Sequence, residues 1–274
     1  MEVISKQKAL KVTYSPKVYT GNTFGYSSSN FNVLSEDEKK FLSLLKENPD
    51  SDELIKLLDM KKVDIYRYLR LDDDLNPVDS YETSEPLIYK CLDRKSVKIF
   101  DWIAQKGKYA YETNPNGVRN YINDKKNRDI PNHIANLYKD NPTEKAYKEM
   151  LEIIVKNKSS FTFNMFSYSY SSGNNIMFTL SSIKDIPYDL FKMFFDVMET
   201  SVFSSDLYSE DTNRNSILKY LISNNRNDLL KIVAPRATFL PKTLYDVMNE
   251  EQKEIFASST VRDNIGTSYG SHSY

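Results

Sequence analysis

One six-residue pattern limits the fold of this chain more than any other feature: a charged residue, two apolar, a charged residue, two apolar. It occurs five times, at Glu53–Leu58, Lys98–Ile103, Glu149–Ile154, Asp189–Phe194 and Asp228–Val233. The first apolar residues fall at 54, 99, 150, 190 and 229, so the steps are 45, 51, 40 and 39 residues. Recurrence at such steps is the signature of stacked repeats. Within each copy the apolar residues sit at i, i+1, i+3 and i+4, one broad stripe on a helix of 3.6 residues per turn. The charged residue at i+2 (Lys56, Asp101, Glu152, Lys192, Lys231) falls off that stripe. Helices this short do not hold themselves in water. Each buried Leu, Ile or Phe contributes about 1.5–3 kcal/mol, so five such helices make a core only by stacking on one another.

The other boundaries follow helix chemistry. Ser35-Glu36-Asp37-Glu38 is a capping box that opens the first helix, with Phe41, Leu42, Leu44 and Leu45 as its apolar face. Asn48-Pro49-Asp50 ends it, and Ser51 or Asp52 caps a second helix over 52–59. Val63–Leu69 is expected to add a further helical turn. Asp72-Asp73-Asp74-Leu75-Asn76-Pro77 lacks the alternation and the glycine of a calcium loop and reads as a solvated acidic turn. A second pair spans 85–107. An insertion over 108–148 contains a turn at Asn114–Gly117, a charged loop at Asp124–Asp129, a short helical piece at Ile134–Tyr138 and a helix over 143–157 capped by Thr143. A fourth pair spans 175–199, its second helix opening at Pro187, and a fifth spans 214–234, stopped by Pro235. Leu240–Met248 and Glu250–Phe256 read as a closing pair.

Ser84-Glu85-Pro86-Leu87-Ile88-Tyr89-Lys90-Cys91-Leu92, followed by Ser96–Gly107, resembles an ankyrin repeat. In that family a T-P-L-H-x-A start opens the first helix, the second helix reads roughly L-E-I-V-K-x-L-L-E-x-G, and the final glycine turns the chain out of it. Pro86-Leu87 and Gly107 occupy the matching places; Ile176 and Ile217 stand at the Leu position in residues 174–195 and 214–233. The family Thr and His are replaced in every copy, and the chain has just 7 Gly. The resemblance implies an all-α, helix-pair solenoid over 35–258, ankyrin-like, with about five irregular repeats and long loops. A HEAT-type helix-pair solenoid is the open alternative. Residues 1–34 and 259–274, rich in Ser, Asn, Gly and Tyr, carry no helical period and are expected to be tails, disordered or loosely docked.

Composition narrows function by exclusion. The net charge of −1 argues against a general nucleic-acid binder. No apolar run reaches the length of a membrane span, and Met1–Lys11 has no apolar signal core. One cysteine, Cys91, rules out an internal disulfide framework and fits a reducing compartment, the cytoplasm of the source cell or of a host. Its place on a packing face makes it a buried hydrophobe. His133, expected in a loop, and His272 in the tail have no Cys or carboxylate at metal-ligand spacing, and there is no phosphate loop, G-x-S-x-G or H-E-x-x-H. No cofactor or metal and no catalytic residue is therefore expected.

The features left over suit binding. Lys125, Lys126 and Arg128 stand in the projecting charged loop. Phe161, Phe163, Phe166, Tyr168 and Tyr170 alternate with small polar residues in a finger between repeats. Residues 36–85 hold 15 acidic against 8 basic residues, and 90–158 hold 15 basic against 9 acidic, a polarity that can steer a charged partner. The expected function is a protein–protein interaction module that binds and masks or redirects another protein. The abundance of Asn, Lys, Tyr, Ser and Ile, a bias of AT-rich genomes, adds the expectation of a pathogen or symbiont effector acting on a eukaryotic host. An enzyme using carboxylates on an irregular helical scaffold, and a structural subunit of a larger assembly, are the alternatives.

Overall fold

The computed structural model of the chain describes residues 33–65, 67–79, 84–113, 130–158, 176–197, 207–208, 210–211 and 213–259. Among these residues the fold is mostly helical. Capping boxes and turns set the helix ends. Ser35 accepts from the Glu38 amide at 3.2 Å while the Glu38 carboxylate accepts from the Ser35 amide at 2.8 Å, opening α1 (Glu36–Glu47). Ser51 caps α2 (Asp52–Asp59). The remaining helices are α3 (Leu87–Asp93), α4 (Val97–Thr113), α5 (Ile130–Asp140), α6 (Lys145–Lys156), α7 (Ile176–Ser182), α8 (Tyr188–Val197), α9 (Ile217–Ser223), α10 (Asn227–Val233), α11 (Lys242–Tyr245) and α12 (Glu250–Ala257). Asn249 and Gln252 form a second capping box at α12.

All five copies of the six-residue pattern fall on the second helix of a pair: α2, α4, α6, α8 and α10. In every copy the first and last apolar positions are buried (Leu54 and Leu58, Ile99 and Ile103, Met150 and Ile154, Leu190 and Phe194, Leu229 and Val233). Contacts follow chain order. The second helices touch in succession, α2 to α4, α4 to α6, α6 to α8, α8 to α10 and α10 to α12. The first helices do likewise, α3 to α5, α5 to α7 and α7 to α9. Within pairs, α1 lies on α2, α3 on α4, α5 on α6, α7 on α8 and α9 on α10. One cluster of buried side chains runs from Phe41 to Phe256.

The turns inside the pairs carry a matching geometry. At the end of α3, Arg94 N–H bonds Lys90 O, Lys95 N–H bonds Leu92 O and Ser96 N–H bonds Cys91 O. At the end of α9, Asn224, Asn225 and Arg226 make the same three bonds to Tyr220, Ile222 and Leu221. Both turns close on a left-handed residue, Lys95 at φ 65° and Asn225 at φ 53°, the conformation that satisfies the last carbonyls of a helix. Two loops outside the pairs match as well. Asp72 accepts from the amides of Asp74 and Asn76 at 2.9 and 2.8 Å, and Asp211 from those of Asn213 and Asn215 at 2.8 and 2.9 Å. The fourth residue of each, Leu75 and Arg214, is left-handed.

Several expectations need correction. Val63–Leu69 is not a helical turn. Tyr68–Arg70 forms β1, antiparallel to β2 (Ser84–Pro86), with Leu69 opposite Glu85. The reason is pairing: β2 takes up the backbone groups of β1, and Leu69, Arg70 and Leu71 are buried in succession, a run set by the returning strand and not by a helical period. Pro86 has no amide to extend the ladder and hands the chain to α3. Helix α4 continues through Gly107 to Thr113 instead of turning there. Thr143 is not a cap: α6 starts two residues later behind Glu144, whose carboxylate pairs with Lys95 of the preceding turn. His133 lies on α5, not in a loop. The expected helix over 240–248 is a single turn, Lys242–Tyr245. The expected tails lie almost wholly outside the described residues, as do the expected turn at Asn114–Gly117 and charged loop at Asp124–Asp129.

Candidate interaction site

The eight residues expected to meet a partner are not part of the described structure. Lys125, Lys126 and Arg128 fall in 114–129, and Phe161, Phe163, Phe166, Tyr168 and Tyr170 fall in 159–175, both outside the described residues.

A different surface is built by the repeated pattern itself. Its fifth position stays half-buried in four copies, at Trp102, Ile153, Met193 and Ile232, and in the first copy Ile55 is the half-buried one. Because α2, α4 and α6 touch in order, three of these side chains meet in a groove of about 440 Å³ lined by Ile55, Val97, Lys98, Asp101, Trp102, Gln105, Glu149, Ile153 and Lys156. The two long walls match. Lys98, Trp102 and Gln105 on α4, and Glu149, Ile153 and Lys156 on α6, both stand at i, i+4 and i+7, which places each set on one stripe of its helix.

The α4 wall is held from the preceding pair. Ser96 Oγ donates to Pro49 O, and Lys98 N–H donates to Asp50 Oδ1 at 3.0 Å. Lys98 Nζ bonds Asp52 Oδ1 at 2.6 Å, and this bond holds the Asp52 carboxyl below its usual range. Trp102 Nε1–H donates to Asp59 Oδ1 at 2.9 Å, which fixes the indole at the groove floor. Gln105 Nε2 donates to Asp101 Oδ2 at 2.6 Å. On the α6 wall, Glu149 and Lys156 are exposed and have no ion pair or hydrogen bond among the described residues. The groove thus offers an apolar floor between an unengaged anion and an unengaged cation.

Elsewhere the titratable groups serve packing. Cys91 is buried at 0 % exposure, and burial, with the Asp93 charge adding to it, pushes its thiol far above its ordinary range of about 9. A thiol so placed is not a nucleophile. His133 Nε2 lies 2.9 Å from Asp93 Oδ1 and its ring meets Tyr89 edge-on at 5.0 Å, a pair that ties α5 to α3. Burial alone raises the Asp211 carboxyl, but the Tyr220 hydroxyl at 2.5 Å and the amides of Asn215 and Asn213 outweigh it and hold the carboxyl low. Among the described residues no three His, Cys, Asp or Glu side chains gather as a metal site, and no helix is long and apolar enough to cross a membrane.

The groove residues carried one sequence signal, the i, i+4, i+7 spacing at 98/102/105 and its recurrence 51 residues later at 149/153/156. That the two stripes face each other depends on the α4–α6 contact. No family model matches the chain, and no curated protein or solved structure matches it.

Proposed function

We propose that the chain is a protein-binding module built as an ankyrin-like helix-pair solenoid, and that it masks or redirects a protein partner without chemistry or cofactor of its own. The observation that carries this reading is the line of half-buried apolar side chains, Trp102, Ile153, Met193 and Ile232, at one place of the repeated pattern along consecutive second helices. Large apolar groups left partly exposed in register form a surface that gains by being covered. The two successions of helix contacts and the identical turns after α3 and α9 support the solenoid. The charged residues Lys125, Lys126 and Arg128 and the aromatic set Phe161, Phe163, Phe166, Tyr168 and Tyr170 are proposed as additional contacts. In this reading the chain works in a reducing compartment, its own cell's cytoplasm or that of a eukaryotic host.

Affinity capture from eukaryotic lysate tests this with four forms: the full chain, a Lys125/Lys126/Arg128→Ala variant, a variant with the five aromatics of 161–170 changed to Ser, and an Ile153→Ser/Met193→Ser variant. A stoichiometric partner recovered by the full chain and lost from one variant places the contact. Recovery of no partner by the full chain contradicts the reading and favours the alternatives, a carboxylate enzyme or an assembly subunit.

A further inference from the structure

The α4–α6 groove has the shape and charge order of a seat for one helix. Its walls are helices whose backbone groups bond internally, so it offers no sheet edge to a strand. What it offers is side chains at i, i+4 and i+7 on both walls, a ridge spacing that another helix can match. Glu149 and Lys156 are seven residues apart on α6, two helical turns or about 10 Å. Ile153 stands between them on α6, and Trp102, Ile55 and Val97 line the same groove. The other lining charges are engaged, Lys98 by Asp52 and Asp101 by Gln105. Glu149 and Lys156, unpaired among the described residues, therefore set the pattern that an occupant must complement.

We propose that this groove docks an amphipathic helix of a partner protein that carries a basic and an acidic residue seven positions apart, with large apolar side chains at the third and fourth positions between them. The basic residue sits on Glu149, the acidic one on Lys156, and the apolar pair covers Trp102 and Ile153. This rests on the binding-module reading and names the chemistry of its partner. A helix running either way along α6 satisfies it, since reversing the helix exchanges the two ends.

Trp102 is the chain's single tryptophan, so its emission reports the groove alone. The test titrates full-length protein with tryptophan-free, Ala-based helical peptides bearing Leu at i+3 and i+4 and either Lys/Glu or Glu/Glu at i and i+7. The Lys/Glu peptide is expected to shift Trp102 emission saturably and to bind about fivefold more tightly than Glu/Glu, the effect of one exposed ion pair. The exposed substitution Glu149→Lys is expected to reverse that order, Glu/Glu binding more tightly than Lys/Glu. No emission change with either peptide, or equal binding of both to both proteins, overturns the proposal. A silent groove in a chain that still captures a partner through other residues removes this seat and leaves the binding-module reading standing; loss of all capture removes that reading itself.

Discussion

Truncating Phe191 to alanine measures how far the repeated pattern dictates stability. Phe191 is the second apolar residue of the fourth copy, fully buried on α8, with its ring stacked on Phe195 at 6.5 Å between centroids. Helix α8 touches α6, α7 and α10, so the lost ring leaves a cavity among helices that cannot all move in at once. Phe→Ala at such a site costs about 3–5 kcal/mol, a large share of the roughly 5–15 kcal/mol that holds a domain folded. Met193, two residues on in the same helix, is half-exposed, and its truncation is expected to cost about 1 kcal/mol. Urea unfolding followed by circular dichroism at 222 nm is the assay. At a slope of about 2 kcal/mol per molar urea, Phe191→Ala moves the midpoint down by roughly 1.5–2.5 M and Met193→Ala by about 0.5 M. Equal shifts for the two, or a Phe191→Ala shift below 0.5 M, would refute the assignment of buried and open positions within the pattern.

Four further outcomes are expected. Arg214→Gly and Lys61→Gly raise stability by about 1 kcal/mol each, because both residues are held at φ 56°, where a side chain is unfavourable and glycine is not; an unchanged or lower urea midpoint contradicts this. Ser35→Ala lowers stability by about 1 kcal/mol through loss of the capping box, and the same denaturant series reads it. Tyr220→Phe removes a donor to Asp211, whose carboxyl is held low in the fold; a depressed carboxyl stabilises above its unfolded value near 3.8 and loses that contribution as the pH falls through the folded value. The substitution therefore costs about 1–2 kcal/mol at pH 7 and progressively less below pH 3.8, and a cost independent of pH contradicts the assignment. Cys91 resists a thiol reagent in native protein and reacts on unfolding; its raised folded value also means that its contribution to stability is intact below pH 9 and falls as the pH rises beyond it, a fall that Cys91→Ala makes smaller.

The parts of the fold that rest on local periodicity were legible in the sequence. The second helices of five pairs, the caps at Ser35 and Ser51 and the breaks at Pro187 and Pro235 all follow from residues within one turn of each boundary. What was not legible depends on partners far along the chain. Tyr68–Arg70 becomes a strand because Ser84–Pro86 returns beside it. Glu144 takes the place of Thr143 ahead of α6 while its carboxylate reaches back to Lys95, 49 residues earlier. His133 finds Asp93 only once α5 lies on α3. The groove is of this second kind. Trp102 and Ile153 read as packing residues on separate helices, and only the pairing of α4 with α6 leaves them half-covered between Glu149 and Lys156.

The most direct test of the proposed stack is a set of distances between spin labels on its exposed face. Lys56 on α2, Glu152 on α6 and Lys231 on α10 hold the exposed fourth position of the pattern. Cysteines placed there take a label that buried Cys91 does not. Helices packed in succession lie about 8–10 Å apart, so the 56–152 pair, two steps along the row, is expected at roughly 16–20 Å and the 56–231 pair, four steps along, at roughly 32–40 Å. A 56–231 distance close to twice the 56–152 distance is the result that a chain-ordered row predicts. A 56–231 distance no longer than the 56–152 one would mean that the helices close into a bundle, and would contradict the solenoid.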